Sequence, residues 1–217
     1  MNIKIFHLLS KFVYLGDIRK NRNNFLRNFI SFNYNNFDFF NIRKISINLF
    51  LIKKFLFNII INNKKILFVS TKNFLREVIY KYSRVLKQNY VCNKWVAGML
   101  TNFNNYKIML NKSLLLKKKK HMNYTKKEKN LFLKEEKKIE ILYGGLRSMN
   151  SKPDLIILTD IKKDKIAVNE AKRVGIKIMA FVDSNDCPKG IDYLIPCNNI
   201  SIESIKIILK IIFSQIC

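Results

Sequence analysis

Two apolar runs on either side of a helical pattern constrain the fold more than any other feature of the chain. Residues 153–159 read Pro-Asp-Leu-Ile-Ile-Leu-Thr and residues 176–182 read Ile-Lys-Ile-Met-Ala-Phe-Val, a pattern typical of strands buried on both faces of a parallel sheet. Residues 164–173 have a helix-like pattern, and Gly175 fits the turn back into the sheet. A strand, a helix and a second strand over about thirty residues form a crossover unit, which predicts a doubly wound α/β domain.

Further strands are expected in the same sheet. Residues 65–70, Lys-Ile-Leu-Phe-Val-Ser, have the pattern of a third buried strand, and residues 193–195 have that of a short edge strand. Thr71 or Asn73 is expected to cap the helix that follows the third apolar run.

A projection made of two helices is predicted for residues 105–141, because they are rich in lysine and lack glycine and proline. Thr125 and Glu128 have the spacing of a capping box, in which the hydroxyl and the carboxylate bind free amides at a helix start. Gly144 and Gly145 are expected to end the second helix in the left-handed conformation that glycine readily adopts.

Ahead of the sheet, the first 36 residues are basic and rich in asparagine, with a short amphipathic start at residues 5–13. They predict an arm that lies along RNA, before an aromatic-rich strand at residues 37–42 and a helix at residues 43–60. The predicted parts are a basic N-terminal arm (1–36), an α/β domain (37–104 and 142–217) and an inserted helical hairpin (105–141).

A large excess of positive charge limits the classes of partner that the chain is expected to bind. Lys and Arg total 41 against 15 Asp and Glu, which gives a formal net charge of +26. The hydrophobic fraction of 48% excludes a disordered basic tail, because such tails lack the material for a core. A folded cationic protein of this kind is expected to bind nucleic acid by neutralising phosphates and releasing counterions. An anionic membrane surface is the alternative partner for such a protein.

Membrane insertion is not expected from either of the two long apolar stretches. Lys53 and Lys54 interrupt residues 45–61, and charged residues recur at helical spacing through residues 200–216. A spanning helix needs about 20 mainly apolar residues, and charges at its centre are costly. The second stretch is therefore interpreted as a helix packed on a sheet, and no secretory signal is evident at the start.

No catalytic residue, cofactor or metal site is predicted. The four cysteines lack the paired spacing of zinc ligands, and the loop after residue 69 lacks the glycines with which nucleotide-binding loops approach phosphates. Five aspartates near strand ends or helix starts are expected to cap or orient turns: Asp160, Asp164, Asp183, Asp186 and Asp192. A nucleotide-binding enzyme on a doubly wound α/β fold remains the alternative function.

A series of segments resembles, in order, the ribosomal protein S2 family. Residues 91–103, which contain the only tryptophan, resemble V-N-x-x-W-x-x-G-x-L-T-N-[WF], and residues 64–72 resemble G-K-I-L-F-V-G-T-K. Further similar segments are 142–149 (L-G-G-I-x-x-M), 153–154 (P-D), 166–171 (I-A-x-x-E-A), 181–185 (V-D-T-N) and 190–196 (G-V-D-Y-x-I-P). Departures fall mainly near the start, where Val13-Tyr-Leu-Gly-Asp17 stands in place of V-H-F-G-H.

This resemblance implies a flavodoxin-like α/β domain with a protruding helical hairpin. It implies a place between the head and the body of the small ribosomal subunit, contacts to small-subunit rRNA and to neighbouring small-subunit proteins, and no catalysis or small-molecule substrate. The function expected is that of a structural constituent that supports translation.

Candidate RNA-binding residues combine cations, which would contact phosphates, with an aromatic and an amide side chain. Trp95 has the alternative role of a core anchor at the hairpin base, Asn102 that of closing a turn, and the lysine run that of a solvated helix face. The set is Arg19, Lys20, Arg22 and Arg27 on the arm, Lys72 and Arg76 beside a strand end, Lys94, Trp95 and Asn102 in the tryptophan segment, and Lys117, Lys118, Lys119 and Lys120 in the hairpin.

The compositional bias towards Lys, Asn, Ile and Phe indicates an AT-rich genome and suggests an organelle-encoded gene. Residues 190–196 look closer to mitochondrial and alphaproteobacterial members of the family, which favours a mitochondrial ribosome in the matrix. Residues 204–209 also resemble plastid members, so a plastid ribosome is the alternative.

Overall fold

The computed structural model describes residues 11–120 and 124–214, without the side chain of Lys120. Most of the predicted amphipathic start at residues 5–13 lies outside the described residues. The strands are β1 (Leu15–Ile18), β2 (Ile30–Tyr34), β3 (Phe37–Phe40), β4 (Ile66–Val69), β5 (Asn89–Val91), β6 (Leu155–Leu158), β7 (Lys177–Val182) and β8 (Tyr193–Pro196). The helices are α1 (Ile42–Ile61), α2 (Arg76–Val85), α3 (Phe103–Lys120), α4 (Lys126–Tyr143), α5 (Lys165–Val174) and α6 (Ile202–Phe213).

A five-stranded sheet in the order β5-β4-β6-β7-β8 forms the centre of the protein, and every neighbouring pair in it is parallel. All residues of β4 and β6 are buried, as expected for strands covered on both faces. The predicted α/β class, the strands β4, β6, β7 and the edge strand β8 are therefore confirmed. The edge strand β5 was not predicted, since its three residues are too few to show a periodicity.

Alternate residues of the strands point into two separate hydrophobic clusters. On one face, Phe68, Ile157 and Phe181 pack with α1, α2 and α6. On the other face, Val69 and Ile156, among others, pack with α5 and with the segment around Trp95. Helices on both faces give the layered arrangement of a doubly wound sheet. Within the described residues, no helix combines the length and the apolar content needed to cross a bilayer.

The N-terminal segment, predicted as a basic arm, contains folded structure that was not predicted. Strands β1, β3 and β2 form a second, antiparallel sheet, so that the predicted strand at residues 37–42 exists but does not join the parallel sheet. Asn35 and Asn36 both have positive φ (46° and 64°), the conformation required by a tight hairpin turn between β2 and β3. The Asn-Asn pair between alternating aromatic residues was the sequence signal for this hairpin.

This small sheet is attached to the loop that follows β7. The backbone N–H of Asp17 donates to Ser184 Oγ at 2.8 Å, and the N–H of Asn23 donates to the carbonyl oxygen of Ser184 at 2.8 Å. A Cβ on Gly16 would lie 2.9 Å from Ser184 Oγ, so only glycine allows this approach without a shift. The small sheet therefore covers part of the edge where the parallel strands end.

Helices α3 and α4 form the predicted hairpin. Ion pairs join Lys112 to Glu135 (3.4 Å) and Lys117 to Glu136 (3.5 Å) across it. The capping box is confirmed, because Thr125 Oγ1 accepts the N–H of Glu128 while Glu128 Oε2 accepts the N–H of Thr125 at 2.9 Å. Gly175 ends α5 with φ of 76°, as predicted.

The predicted start of α2 and the predicted end of α4 differ from the structure. Neither Thr71 nor Asn73 caps α2, which begins from a 3-10 turn without a side-chain cap. Gly144 has φ of −56°, so the left-handed end predicted for α4 is wrong, and a 3-10 turn follows instead. No side chain fits at Gly145 without a shift, because its Cβ would lie 2.1 Å from the carbonyl oxygen of Tyr90.

Gly145→Ala is expected to lower the free energy of unfolding by about 1–3 kcal/mol, because the backbone of β5 must move to admit the methyl group. Gly144→Ala is the matched control, since its Cβ would meet only the flexible end of Glu140 and its φ is helical. The control should be neutral or slightly stabilising. Urea unfolding of both variants checks this, and equal losses of stability would contradict it.

Candidate nucleic-acid interface

Trp95 lies in the core, so the structure corrects its prediction as an RNA-stacking residue. It is 5% exposed, and its indole N–H donates to Glu170 Oε1 at 3.1 Å. The same carboxylate accepts the backbone N–H groups of Gly98 (2.7 Å) and Leu100 (2.9 Å). Burial alone would raise the pKa of Glu170, but these donors lower the pKa below its ordinary value. The alternative role of Trp95, a core anchor, is the one the structure supports.

Lys72 is also buried, at 7% exposed, and therefore does not face a ligand at the surface. Its ammonium group lies 2.9 Å from Asp160 Oδ2 and donates to the backbone and side-chain oxygens of Asn199 at 2.8 and 3.1 Å. These partners follow β6 and β8, while Lys72 follows β4. The lysine thus links the carboxyl ends of three parallel strands.

Arg22 is committed to an ion pair inside the small sheet. Its Nε donates to Asp38 Oδ2 at 2.7 Å, its Nη2 contacts Oδ1 of the same carboxylate, and its side chain is 18% exposed. Asp38 is fully buried and also accepts a bond from Asn33. A buried carboxylate needs such partners, so Arg22 stabilises the sheet. It is therefore no longer a candidate RNA-binding residue.

The other candidates divide into exposed and partly engaged residues. Lys117 is half-buried and pairs with Glu136, whereas the side chain of Lys120 lies outside the described residues. Lys119 lies over the ring of Phe132, 6.0 Å from its centroid, and remains exposed. The remaining exposed candidates are Arg19, Lys20, Arg27, Arg76, Lys94, Asn102 and Lys118.

A groove at the base of the hairpin adds lysines that the sequence set did not include. It has a volume of about 750 Å³ and is lined by apolar residues that include Ala97, Ile141 and Ile166, together with Lys94 and lysines of α4. Asn93 fixes the two sides, because its Nδ2 donates to the carbonyl oxygen of Ile141 at 2.8 Å. The added lysines are Lys134, Lys137 and Lys138. Their place in the lysine-rich hairpin was visible in the sequence, but their proximity to Lys94 was not.

The edge where nucleotides bind in many doubly wound folds is filled here by the protein's own side chains. Lys72 and Asn199 meet there, and Ser70 and Thr159 bond each other through their hydroxyl groups at 2.8 Å. The predicted turn-orienting role holds for four aspartates, each of which accepts a backbone N–H: Asp160, Asp183, Asp186 and Asp192. Across the described part of the chain, no group of three or more His, Cys, Asp or Glu could hold a metal ion.

Asp164 differs from those four aspartates. It is 1% exposed, and within residues 11–120 and 124–214 neither carboxylate oxygen has a hydrogen-bond partner of normal geometry. Burial raises the pKa of Asp164 to about 6, although the adjacent Thr71 lowers it in part. A buried carboxyl without partners is expected to destabilise the fold when it ionises.

Comparisons with known proteins agree on one family. A family model described as Ribosomal protein S2 matches residues 8–217. Small ribosomal subunit protein uS2 of Carsonella ruddii (strain PV) is 52% identical over 216 residues, which cover 99% of this chain and 100% of that protein. The uS2 protein of Karelsulcia muelleri (strain GWSS) is 35% identical over 75% of each chain. That of Rickettsia prowazekii (strain Madrid E) is 40% identical over 66% of this chain, but the match spans only 50% of the relative.

Asp164→Asn is expected to raise the free energy of unfolding near neutral pH by about 3 kcal/mol, because it removes the cost of ionising a buried carboxyl. In the folded protein the pKa of Asp164 is raised from 3.8 to about 6. The wild-type protein therefore has the full stability of the protonated carboxyl below pH 3.8 and loses it as the pH rises through about 6. The gain over wild type should therefore appear in that window. Urea unfolding as a function of pH measures it.

Asp160→Asn is the matched control for this prediction. Burial alone would raise the pKa of Asp160, but the N–H of Lys163 and the ammonium of Lys72 lower it overall. Its ionised form therefore stabilises the fold above the ordinary pKa, and the control should lose stability near neutral pH. A loss of stability in both variants would contradict the account of Asp164.

Proposed function

The chain belongs to the ribosomal protein S2 family, and we propose from this that it is a structural constituent of the small ribosomal subunit that binds small-subunit rRNA. The match over 99% of the chain to a protein named small ribosomal subunit protein uS2 carries the proposal. The net charge of +26 supports it, since rRNA is a dense polyanion. The family is one of structural proteins, and the role proposed is not catalytic.

The proposed RNA interface consists of exposed cations on two parts of the molecule. Arg19, Lys20 and Arg27 lie in the N-terminal segment, and none of them pairs with a carboxylate within the described residues. The second part comprises the hairpin and its base: Lys94, Lys118, Lys119, Lys134, Lys137 and Lys138. Fixed cations of this kind contact phosphates and position a protein on RNA, whatever the base sequence. Neighbouring small-subunit proteins are proposed as the further partners.

The cellular location is proposed separately from the role. Residues 190–196 favour a mitochondrial ribosome, with a plastid ribosome as the alternative, and both locations stay predictions. The relatives reported above come from bacteria, which supports a bacterial small subunit at least as well. Peptides of the chain in ribosomes purified from the source cell, before and after organelles are removed, would separate the three locations.

Small subunits isolated on a sucrose gradient are expected to retain the chain after a high-salt wash. Salt weakens each phosphate contact, but a constituent held by many simultaneous contacts, including apolar ones, leaves the particle only when all of them break together. Mass spectrometry of the washed particles checks this expectation. Recovery of the chain only from the soluble fractions would contradict the proposed function.

Replacing Lys134, Lys137 and Lys138 by glutamine is expected to reduce the slope of log affinity against log salt by roughly 2 to 3, since each lost phosphate contact removes about 0.7–0.9. The matched control replaces Lys81, Lys206 and Lys210, three lysines that line a groove between α2 and α6. The control removes the same charge and should leave the slope nearly unchanged. Filter binding to a small-subunit rRNA fragment over a salt series measures both, and equal changes in slope would argue against the groove.

A further inference from the structure

A column of aromatic rings stands on the small antiparallel sheet. The rings of Phe32 and Phe39 are stacked, with centroids 4.8 Å apart and planes 9° from parallel. Tyr14 stacks on Phe39 at 5.8 Å and 23°, and Phe12 follows at 6.3 Å from Tyr14. These four residues form the ring column. Their spacing resembles that of offset-stacked aromatic pairs in proteins.

The register of the sheet explains why the aromatic residues share one face. Phe32 pairs with Phe39 and Tyr34 with Phe37, and paired residues of antiparallel strands point to the same side. Between Phe37 and Phe39, the buried Asp38 points to the opposite side, towards Arg22. The inner side of β3 therefore carries Asp38 and the buried Phe40, and the outer side carries Phe37 and Phe39. Aromatic residues thus occupy the face that is usually polar in an antiparallel sheet with one solvated side.

Much of this aromatic face is open to solvent. Phe12 and Phe32, at the two ends of the ring column, are 58% and 57% exposed, and Tyr34 beside Phe32 is 64% exposed. Phe37 adds a further exposed ring at 41%. Contiguous exposed apolar surface of this kind marks an interaction site more often than an inert surface.

The charge around the aromatic face identifies the class of partner. Residues 11–44 contain seven lysines and arginines but only two acids, and both acids are engaged. Asp38 pairs with Arg22, and Asp17 accepts hydrogen bonds from Asn21 and from the N–H of Ile18. The N–H of Arg19 bonds the carbonyl oxygen of Asn36 at 2.7 Å, which places Arg19 and the next residue, Lys20, beside the β2–β3 turn.

We propose that this sheet face is a stacking platform for unpaired nucleotides of RNA. Phe32 and Tyr34 stack on bases, while Arg19 and Lys20 contact the phosphates. A polyanion whose units carry flat rings matches both the exposed aromatic side chains and the unpaired cations. Duplex RNA does not fit this face, because its bases are already stacked on each other. The inference rests on the proposed function and specifies how one part of the RNA is recognised.

The test compares the full-length protein with the variant Phe32→Leu/Tyr34→Leu, which keeps apolar side chains but removes two rings. Affinity is measured by fluorescence anisotropy for a labelled unpaired RNA and for a duplex that contains the same strand. The double variant is expected to bind the unpaired RNA on the order of ten-fold more weakly or worse. Its affinity for the duplex and the salt dependence of binding should not change, because the phosphate contacts remain.

Phe57→Leu is the matched control, since Phe57 is an exposed ring (40%) on α1, outside the aromatic face. It should bind both RNAs as the wild type does. Thermal unfolding of the double variant establishes that it is folded at the temperature of the measurement. Unchanged affinity of the folded double variant for unpaired RNA would overturn the inference, and so would an equal loss for the duplex.

A protein partner is the other class of ligand for an exposed aromatic face. Small subunits assembled with the double variant that bind RNA normally but lack a neighbouring protein would show that the face docks protein, which also overturns the inference. The proposed function is tested separately by entry of the wild-type chain into small subunits. If the wild type enters and the double variant binds unpaired RNA unchanged, only the stacking platform fails.

Discussion

The carboxylate of Glu170 fixes the position from which the helical hairpin leaves the α/β domain. It lies on α5 and accepts hydrogen bonds from the indole of Trp95 and from backbone N–H groups of the segment that leads directly into α3. A buried carboxylate that satisfies several donors is stable only when all of them are in place, so it selects one conformation of this segment. The groove between Lys94 and the lysines of α4 depends on that conformation, because the tryptophan segment forms one of its sides.

Lys72 has a comparable role at the edge where the parallel strands end. Its ammonium group joins residues that follow β4, β6 and β8, and the loop after β7 holds the small sheet through Ser184. The edge that binds nucleotides in many doubly wound folds therefore serves to assemble the protein itself. Among the predicted RNA-binding cations, those that remain exposed lie in the N-terminal segment, in the hairpin and its base, and at Arg76 on α2. A structural role in a ribonucleoprotein uses such a surface.

Residue patterns predicted the parts of the fold that depend on local sequence. The buried runs of β4, β6 and β7, the capping box of Thr125 and the left-handed Gly175 each carry a signal within a few residues. Local sequence patterns do not show which lysines and arginines form ion pairs inside the protein. Arg22 and Lys72 are paired with carboxylates distant in sequence, so only the tertiary structure separates them from exposed cations such as Arg19 and Lys94. The small sheet was not predicted, because its asparagine-rich composition is also typical of an irregular arm.

The central claim is that this cationic α/β protein is built into the small ribosomal subunit and acts there through fixed contacts with RNA. A cryo-electron microscopy map of small subunits from the source cell tests it most directly. The account predicts density for this chain in the particle, with the exposed cations of the hairpin base against rRNA phosphates and with Lys72 and Arg22 facing the protein interior. A map in which a different polypeptide fills the S2 position, or in which the hairpin base faces solvent, would contradict it.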